Sequence, residues 1–220
     1  EKGFAEADVI IEHTYHLNVQ LHTPLEPHGC VCEWRGEDLY MWDSTQGVHS
    51  TRGGVARALE MPENQVHVIT HHMGGGFGSK LSPKSYNIIC ARLAKKAGAP
   101  VKLMLDREEE MLAVGNRPSS WQKIKMGAKK DGTLTAFQME SFGTAGIGGG
   151  AGVPQPYIYQ FPNWKVSHDD VHINAGAGAP MRAPGHPQAN FAIESAVDEL
   201  ADKLDIDPLE FRRKNDPNET

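Results

Sequence analysis

The 220-residue sequence lacks long apolar runs and basic charge, and each absence excludes a class of function. No apolar run approaches the roughly 20 residues that cross a bilayer, so we expect no membrane span. Net charge is −6, and basic residues are scattered in pairs such as Lys95-Lys96, which excludes a continuous surface for nucleic acid. No targeting segment is visible at the N-terminus, so a cytoplasmic location is the expectation.

Cysteine is scarce and gives no metal-binding spacing. The three cysteines, Cys30, Cys32 and Cys90, are odd in number and include no CxxC pair. Iron–sulfur and zinc sets are therefore not indicated, and we interpret the cysteines as buried free thiols.

Histidine is more frequent, but its spacing is unremarkable for metal binding. Four groups combine histidines with one another or with acidic residues, and no group forms an HExxH pattern on a helix. We expect no protein-ligated zinc. The groups are His13/His16, His22 with Glu26 and His28, His71/His72, and His168 with Asp169, Asp170 and His172.

The chain alternates segments of strand and helix periodicity, which predicts an α+β fold with mixed β-sheets and flanking helices. Strand patterns occur at residues 8–16, 29–34, 39–44, 65–70, 101–105, 122–128 and 133–141. Helical patterns occur at residues 49–59, 85–96 and 188–204, and the last carries an apolar stripe typical of a core helix. We treat residues 1–220 as one domain fragment, with sub-lobes suggested at 1–142 and 143–220.

A glycine-rich loop at residues 74–80 follows a predicted strand and precedes a predicted helix. It does not match the P-loop, because Ser79 precedes Lys80 and Leu81 follows it. It also lacks the third glycine of the dinucleotide pattern, since Ser79 stands at that position. Two interpretations stay open for these residues: a loop that binds an anion or cofactor, and a tight structural crossing.

Five segments of the sequence form a distinctive set. In chain order they are Leu25-Glu26-Pro27-His28, Trp42-Asp43-Ser44-Thr45-Gln46, Met73 to Lys80, Met181 to Gln188, and the region 194–215. In order and approximate spacing they resemble the molybdopterin-binding region of the xanthine dehydrogenase/aldehyde oxidase family. The resemblance covers almost the whole chain, and the combination is far more specific than any single segment.

The resemblance implies a site for the molybdopterin cofactor. By matched position, Gln46 hydrogen-bonds the molybdenum oxo group, Gly76, Phe77 and Gly78 form the backbone beside the metal, and Arg182 contacts the cofactor. No protein residue ligates the metal directly, because the dithiolene of the pterin holds it, and the protein supplies hydrogen bonds and a shaped cavity.

The resemblance also implies a water-dependent hydroxylation of an aldehyde or N-heterocycle by a larger oxidoreductase. Iron–sulfur centres and FAD are then expected on other domains or subunits, and the remainder of the large subunit is the first partner. The family's general-base Glu has no match in this sequence, so we expect no catalytic residue in this fragment and no activity from it alone.

Two positions depart from the purine-oxidising members of the family, which carry a Glu after the loop lysine and an aromatic residue near the matched arginine. Leu81 and Pro184 stand there instead, which argues against a purine substrate. Two other functions compete with the cofactor site: a cofactor-free scaffold of the same fold, and a phosphate- or nucleotide-binding domain that uses the glycine loop.

Overall fold

The computed structural model describes residues 1–154, 156 and 158–218, and it confirms the α+β class. No described helix is long and apolar enough to cross a membrane. The helices are α1 (Lys2–Ala5), α2 (Val48–Leu59), α3 (Ser85–Ala97), α4 (Arg107–Ala113), α5 (His186–Lys203) and α6 (Pro208–Asn215). The strands are β1 (Val9–Leu17), β2 (Gly29–Arg35), β3 (Asp38–Asp43), β4 (Val66–Ile69), β5 (Val101–Met104), β6 (Ser120–Ala128), β7 (Leu134–Gly146) and β8 (Asn163–His172).

The chain forms two compact units, and neither is continuous in sequence. Unit 1 comprises residues 1–20, 118–178 and 183–220, and unit 2 comprises residues 21–117 and 179–182. Strand β7 runs through residue 142 and pairs with β6 over residues 134–142, and the sub-lobes suggested at 1–142 and 143–220 stay a prediction.

Unit 1 is a four-stranded sheet with strand order β1-β6-β7-β8, and α5 packs on β1 and β6. The apolar stripe predicted for the last helix faces this sheet, as the burial of Ile193, Ala196, Val197 and Leu200 shows. The aligned pairs are antiparallel except β7 with β8, which is parallel.

Unit 2 is a second four-stranded sheet, with strand order β4-β3-β2-β5. The predicted hairpin is confirmed: β2 and β3 pair antiparallel through the Gly36 turn, where φ is +63°. The sheet is mixed, since β3 and β4 are parallel. Helix α3 packs on β2 and β5, and α2 packs on β4, so one face of the sheet is buried beneath two helices.

Strand β8 and helix α4 are among the elements that were not predicted from the sequence. Strand β8 lies at a sheet edge and its side chains are mostly exposed, so it has no apolar alternation to detect. Helix α4 is short, and its N-cap is Asp106, whose side chain accepts a hydrogen bond from the Glu109 N–H in a capping box.

Candidate functional site

The glycine loop of unit 2 is held by the side chain of Gln46, which follows the end of β3. Gln46 Oε1 accepts hydrogen bonds from the N–H groups of Gly78 (2.7 Å) and Lys80 (3.3 Å). The Gln46 backbone N–H donates to the Lys80 carbonyl at 2.8 Å. Gln46 thus fixes the path of the loop through both its side chain and its backbone, and these contacts also fix the orientation of its carboxamide.

The Gln46 carboxamide keeps a donor available. Within the described part of the chain its Nε2 donates no hydrogen bond, and the side chain is exposed. Because Oε1 is already saturated by two N–H groups, the NH₂ group is the end that can contact a ligand.

Glycine is required in the loop because the backbone approaches its neighbours closely. A Cβ at Gly76 would lie 2.5 Å from Gln46 Oε1, and a Cβ at Gly78 would lie 2.7 Å from the Pro180 carbonyl carbon. Gly78 also has a φ of +113°, outside the range that L residues adopt without strain. The loop is therefore a close-packed backbone feature rather than a loose linker.

Phe77 and Arg182 complete this cluster. Phe77 has a φ of +54°, an uncommon value for a bulky residue, and its ring is 46% exposed. The Arg182 N–H donates to the Phe77 carbonyl at 2.8 Å, and the Arg182 carbonyl accepts from Arg117 Nη2 at 2.7 Å. The backbone of Arg182 is therefore anchored to the loop, while its side chain is exposed and free to extend toward solvent.

The structure thus brings together all five residues singled out from the sequence, and direct contacts connect them. Gln46 contacts Gly78, a Cβ at Gly76 would meet Gln46, and Arg182 hydrogen-bonds Phe77. Their roles toward a cofactor stay predictions.

A buried lysine network behind the loop was missed by the sequence analysis. The Lys80 side chain is fully buried, and its ammonium donates to the Glu26 carbonyl (2.9 Å), Ser44 Oγ (2.8 Å) and Glu26 Oε2 (3.3 Å). These three acceptors satisfy all three ammonium protons. Burial lowers the pKa of Lys80, and the Glu26 carboxylate opposes this shift.

Glu26 ties the network to the start of the loop. Its Oε2 accepts from Ser44 Oγ (2.5 Å) and from the Gly74 N–H (2.6 Å), as well as from Lys80. Partial burial raises the pKa of Glu26, but the hydrogen bonds from Ser44 and Gly74 and the charge of Lys80 outweigh it and lower the pKa below its usual value. Glu26 is therefore a fixed carboxylate that orients the loop.

A second buried pair lies beside this network. His28 is fully buried, and its Nδ1 is 2.9 Å from Glu110 Oε1, while Arg107 pairs with the other oxygen of Glu110. Burial lowers the pKa of His28 to about 4, and the charge of Lys80 adds to this shift. His28 is thus neutral at ordinary pH and acts as a packed hydrogen-bonding group.

The acidic and histidine cluster on β8 belongs to unit 1 and has a structural explanation. Asp170 accepts hydrogen bonds from the N–H groups of Gly150 (2.8 Å) and Ala151 (2.9 Å), and from His168 Nε2 at 3.1 Å. His168 Nδ1 in turn lies 2.9 Å from Ser141 Oγ. These contacts hold the Gly/Ala-rich segment after β7.

Comparison with known proteins identifies the family to which the chain belongs. The molybdopterin cofactor-binding domain family matches residues 1–216. The chain is 35% identical over 218 residues to the aldehyde oxidoreductase molybdenum-binding subunit PaoC of Escherichia coli O157:H7, covering 97% of this chain and 30% of that protein. It is 34% identical over 224 residues to the nicotinate dehydrogenase large molybdopterin subunit of Eubacterium barkeri, covering 98% of this chain and 52% of that protein.

Among solved structures, the aldehyde oxidoreductase from Desulfovibrio gigas superposes with a TM-score of 0.85 at 31% identity. The match covers 100% of this chain and 25% of that chain. The chain therefore spans well under two thirds of the length of the proteins that it matches.

Proposed function

The chain belongs to the molybdopterin cofactor-binding domain family of the molybdenum hydroxylases, and on that premise we propose that unit 2 holds the cofactor through Gln46, the backbone of Gly76, Phe77 and Gly78, and Arg182. The observation that carries the proposal is the pair of hydrogen bonds that Gln46 Oε1 accepts from the Gly78 and Lys80 N–H groups, which leaves Gln46 Nε2 available to donate to a ligand.

The residues fit such a group by their shape and donors. At Gly76 and Gly78 the space that a Cβ would occupy is already filled, so the loop lies as close to Gln46 and Pro180 as a backbone can. Phe77 is exposed and Gly78 is half-buried, whereas Gly76 is buried, so Phe77 and Gly78 form the accessible part of the loop beside Gln46. The exposed Arg182 offers a planar set of N–H donors, which suits an oxygen-rich ligand.

The role of the chain in the reaction is to bind and orient. When bound, the cofactor supplies the redox chemistry that inserts water-derived oxygen at an electron-poor carbon of an aldehyde or N-heterocycle. Gln46 Nε2 would donate a hydrogen bond to an acceptor on the cofactor, while Gln46 Oε1 accepts from the Gly78 and Lys80 N–H groups and so keeps the loop beside it. Such oriented contacts around a metal centre are typically worth about 10- to 100-fold in affinity or activity.

The chain alone does not turn over substrate under this proposal. A general base needs a pKa near the working pH, whereas the hydrogen bonds to Glu26 hold its pKa below the usual range. Glu26 is therefore unsuited to the task, and a Glu from the remainder of the large subunit supplies it. Substrate-dependent dye reduction by the isolated 220-residue chain would contradict this.

The proposed assembly is a cytoplasmic oxidoreductase in which iron–sulfur centres and FAD, on other domains or subunits, carry the electrons away. Leu81 stands directly after the loop lysine and is 43% exposed. An apolar side chain there cannot hydrogen-bond a polar purine, so aldehydes and other heterocycles are the proposed substrates.

The test measures molybdenum content by elemental analysis and pterin content by fluorescence. Both are measured on the chain assembled with the remainder of the large subunit and on the chain alone. We expect stoichiometric cofactor in the assembled sample. Arg182→Ala and Gln46→Leu should each lower occupancy or turnover by about 10-fold or more. The matched controls are Arg92→Ala, on the exposed face of α3, and Gln138→Leu, on β7.

Two outcomes would favour the competing functions. No cofactor in a verified assembly would favour the cofactor-free scaffold. A nucleotide-dependent rise in melting temperature would favour a nucleotide site. The position of the loop argues against the latter, because α3 begins at Ser85 and its N-terminus therefore lies beyond Lys80 rather than at the loop.

A further inference from the structure

The three cysteines converge on one point in the core of unit 2, although the sequence spacing gave no sign of it. Cys30 and Cys32 alternate with Val31 along β2 and so point to the same face, and Cys90 on α3 packs over them. All three are free thiols, with exposures of 2%, 0% and 0%. Their sulfur atoms all lie within 4.8 Å of one another.

The spacing of the sulfur atoms fits one metal ion. Cys30 Sγ and Cys32 Sγ are 3.9 Å apart. A metal–sulfur bond of about 2.3 Å requires sulfur atoms about 4.0 Å apart when three ligands surround the ion in a plane. The two strand cysteines already have this spacing, and the Cys90 sulfur lies within 4.8 Å of both.

The ligand set selects a soft ion. In the part of the chain that the structure describes, no histidine or carboxylate joins the three sulfurs, so zinc would lack the fourth protein ligand of a closed tetrahedral site. Met41 is buried and lies opposite Cys32 in the β2–β3 ladder, which places a thioether on the same face. Thiolate and thioether ligands favour Cu(I).

The hydrogen bonds of Cys90 are those of a protonated thiol. Its Sγ donates to the Val101 carbonyl at 3.3 Å and lies 3.7 Å from the Cys30 carbonyl. A cation that binds the cluster would displace the thiol protons.

We propose that Cys30, Cys32 and Cys90 form a binding site for one soft monovalent ion, Cu(I). The site is separate from the Gln46 loop and does not depend on the cofactor assignment. It binds the ion through three sulfur atoms, with release of the thiol protons to solvent.

The test is an anaerobic titration of the reduced 220-residue chain with Cu(I), in competition with a colorimetric Cu(I) chelator. We expect one Cu(I) per chain and a rise in melting temperature on binding. X-ray absorption should show sulfur ligands at a single distance of about 2.3 Å. Cys90→Ser, which preserves side-chain size, should weaken binding by at least about 10-fold, since one of the three ligands is lost.

The melting temperature separates a folded site from capture by loose thiols, because an unfolded chain with three cysteines also binds Cu(I). A fall in melting temperature on copper addition would overturn the proposal, as would unchanged affinity in Cys90→Ser. If Cys90→Ser does not fold, the absorption spectrum of the unsubstituted chain decides: nitrogen or oxygen ligands in place of sulfur would also overturn it.

Discussion

Gly78→Ala is the substitution for which the structure gives the sharpest expectation. Gly78 has a φ of +113°, and a Cβ there would lie 2.7 Å from the Pro180 carbonyl carbon and closer still to its oxygen. The obstruction is backbone, so a side-chain rotation cannot relieve it. Either the loop or the segment containing Pro180 must move.

The matched control is Gly36→Ala, in the same unit. Gly36 also has a positive φ, +63°, but a Cβ there meets nothing within 4 Å. The control therefore carries only the backbone cost of a left-handed L residue, about 1–2 kcal/mol. Gly78→Ala carries at least that strain plus an overpacking cost of about 1–3 kcal/mol.

We expect the free energy of unfolding to fall by about 2–5 kcal/mol in Gly78→Ala, and by about 1–3 kcal/mol more than in Gly36→Ala. Urea denaturation of both variants measures this difference, provided that the m-values agree. Equal destabilisation of the two variants would refute the close approach of the loop to Pro180.

Three further predictions concern the interior. The pKa of His28 is lowered in the folded state, so its contribution to stability is present above the ordinary value near 6.5 and is lost as pH falls toward about 4. Between pH 7.5 and 5, unfolding free energy measured by urea denaturation should fall by about 2 kcal/mol more in the unsubstituted chain than in His28→Asn; parallel pH profiles would contradict this. Phe211→Ala, at a fully buried position, should cost about 3–5 kcal/mol in the same assay. Leu209→Ala, 66% exposed, should cost less than about 1 kcal/mol, and equal losses would contradict the packing. Ser44→Ala should cost about 1–3 kcal/mol because the buried Lys80 ammonium loses an acceptor; Lys80→Met should cost at least as much, because the Glu26 carboxylate and carbonyl and Ser44 Oγ all lose their donor, and the reverse order would contradict the network.

Much of the fold could be predicted from the sequence, because most elements carry a clear hydrophobic period. The core helix expected at residues 188–204 is α5, His186–Lys203, and the hairpin expected around Gly36 is present. Strand β8 could not be predicted, because its partners are backbone groups of β7 and its exposed side chains carry no pattern.

The candidate site was predicted in part, and that prediction came from the resemblance to a family rather than from a hydrophobic period. From composition alone Gln46 and Arg182 are ordinary polar residues, and only the resemblance of several segments singled them out. The cysteine cluster was invisible, because Cys90 is 60 positions from Cys30 and their meeting depends on how α3 packs on β2. The burial of Lys80 has no sequence signal either, since a lysine after a glycine loop ordinarily reaches solvent.

The burial of Lys80 explains how the glycine loop keeps one conformation. A loop rich in glycine has a large conformational entropy to lose, so contacts must hold it at more than one point. Gln46 holds the Gly78 end, and Glu26 holds the Gly74 end. The Lys80 ammonium is fully buried while the Glu26 side chain is 35% exposed, so the lysine cannot leave without exposing the network, whereas water can replace it at the carboxylate. The charge pair therefore fixes the Gly74 end of the loop, and removal of Lys80 alone should both lower the unfolding free energy and loosen that end.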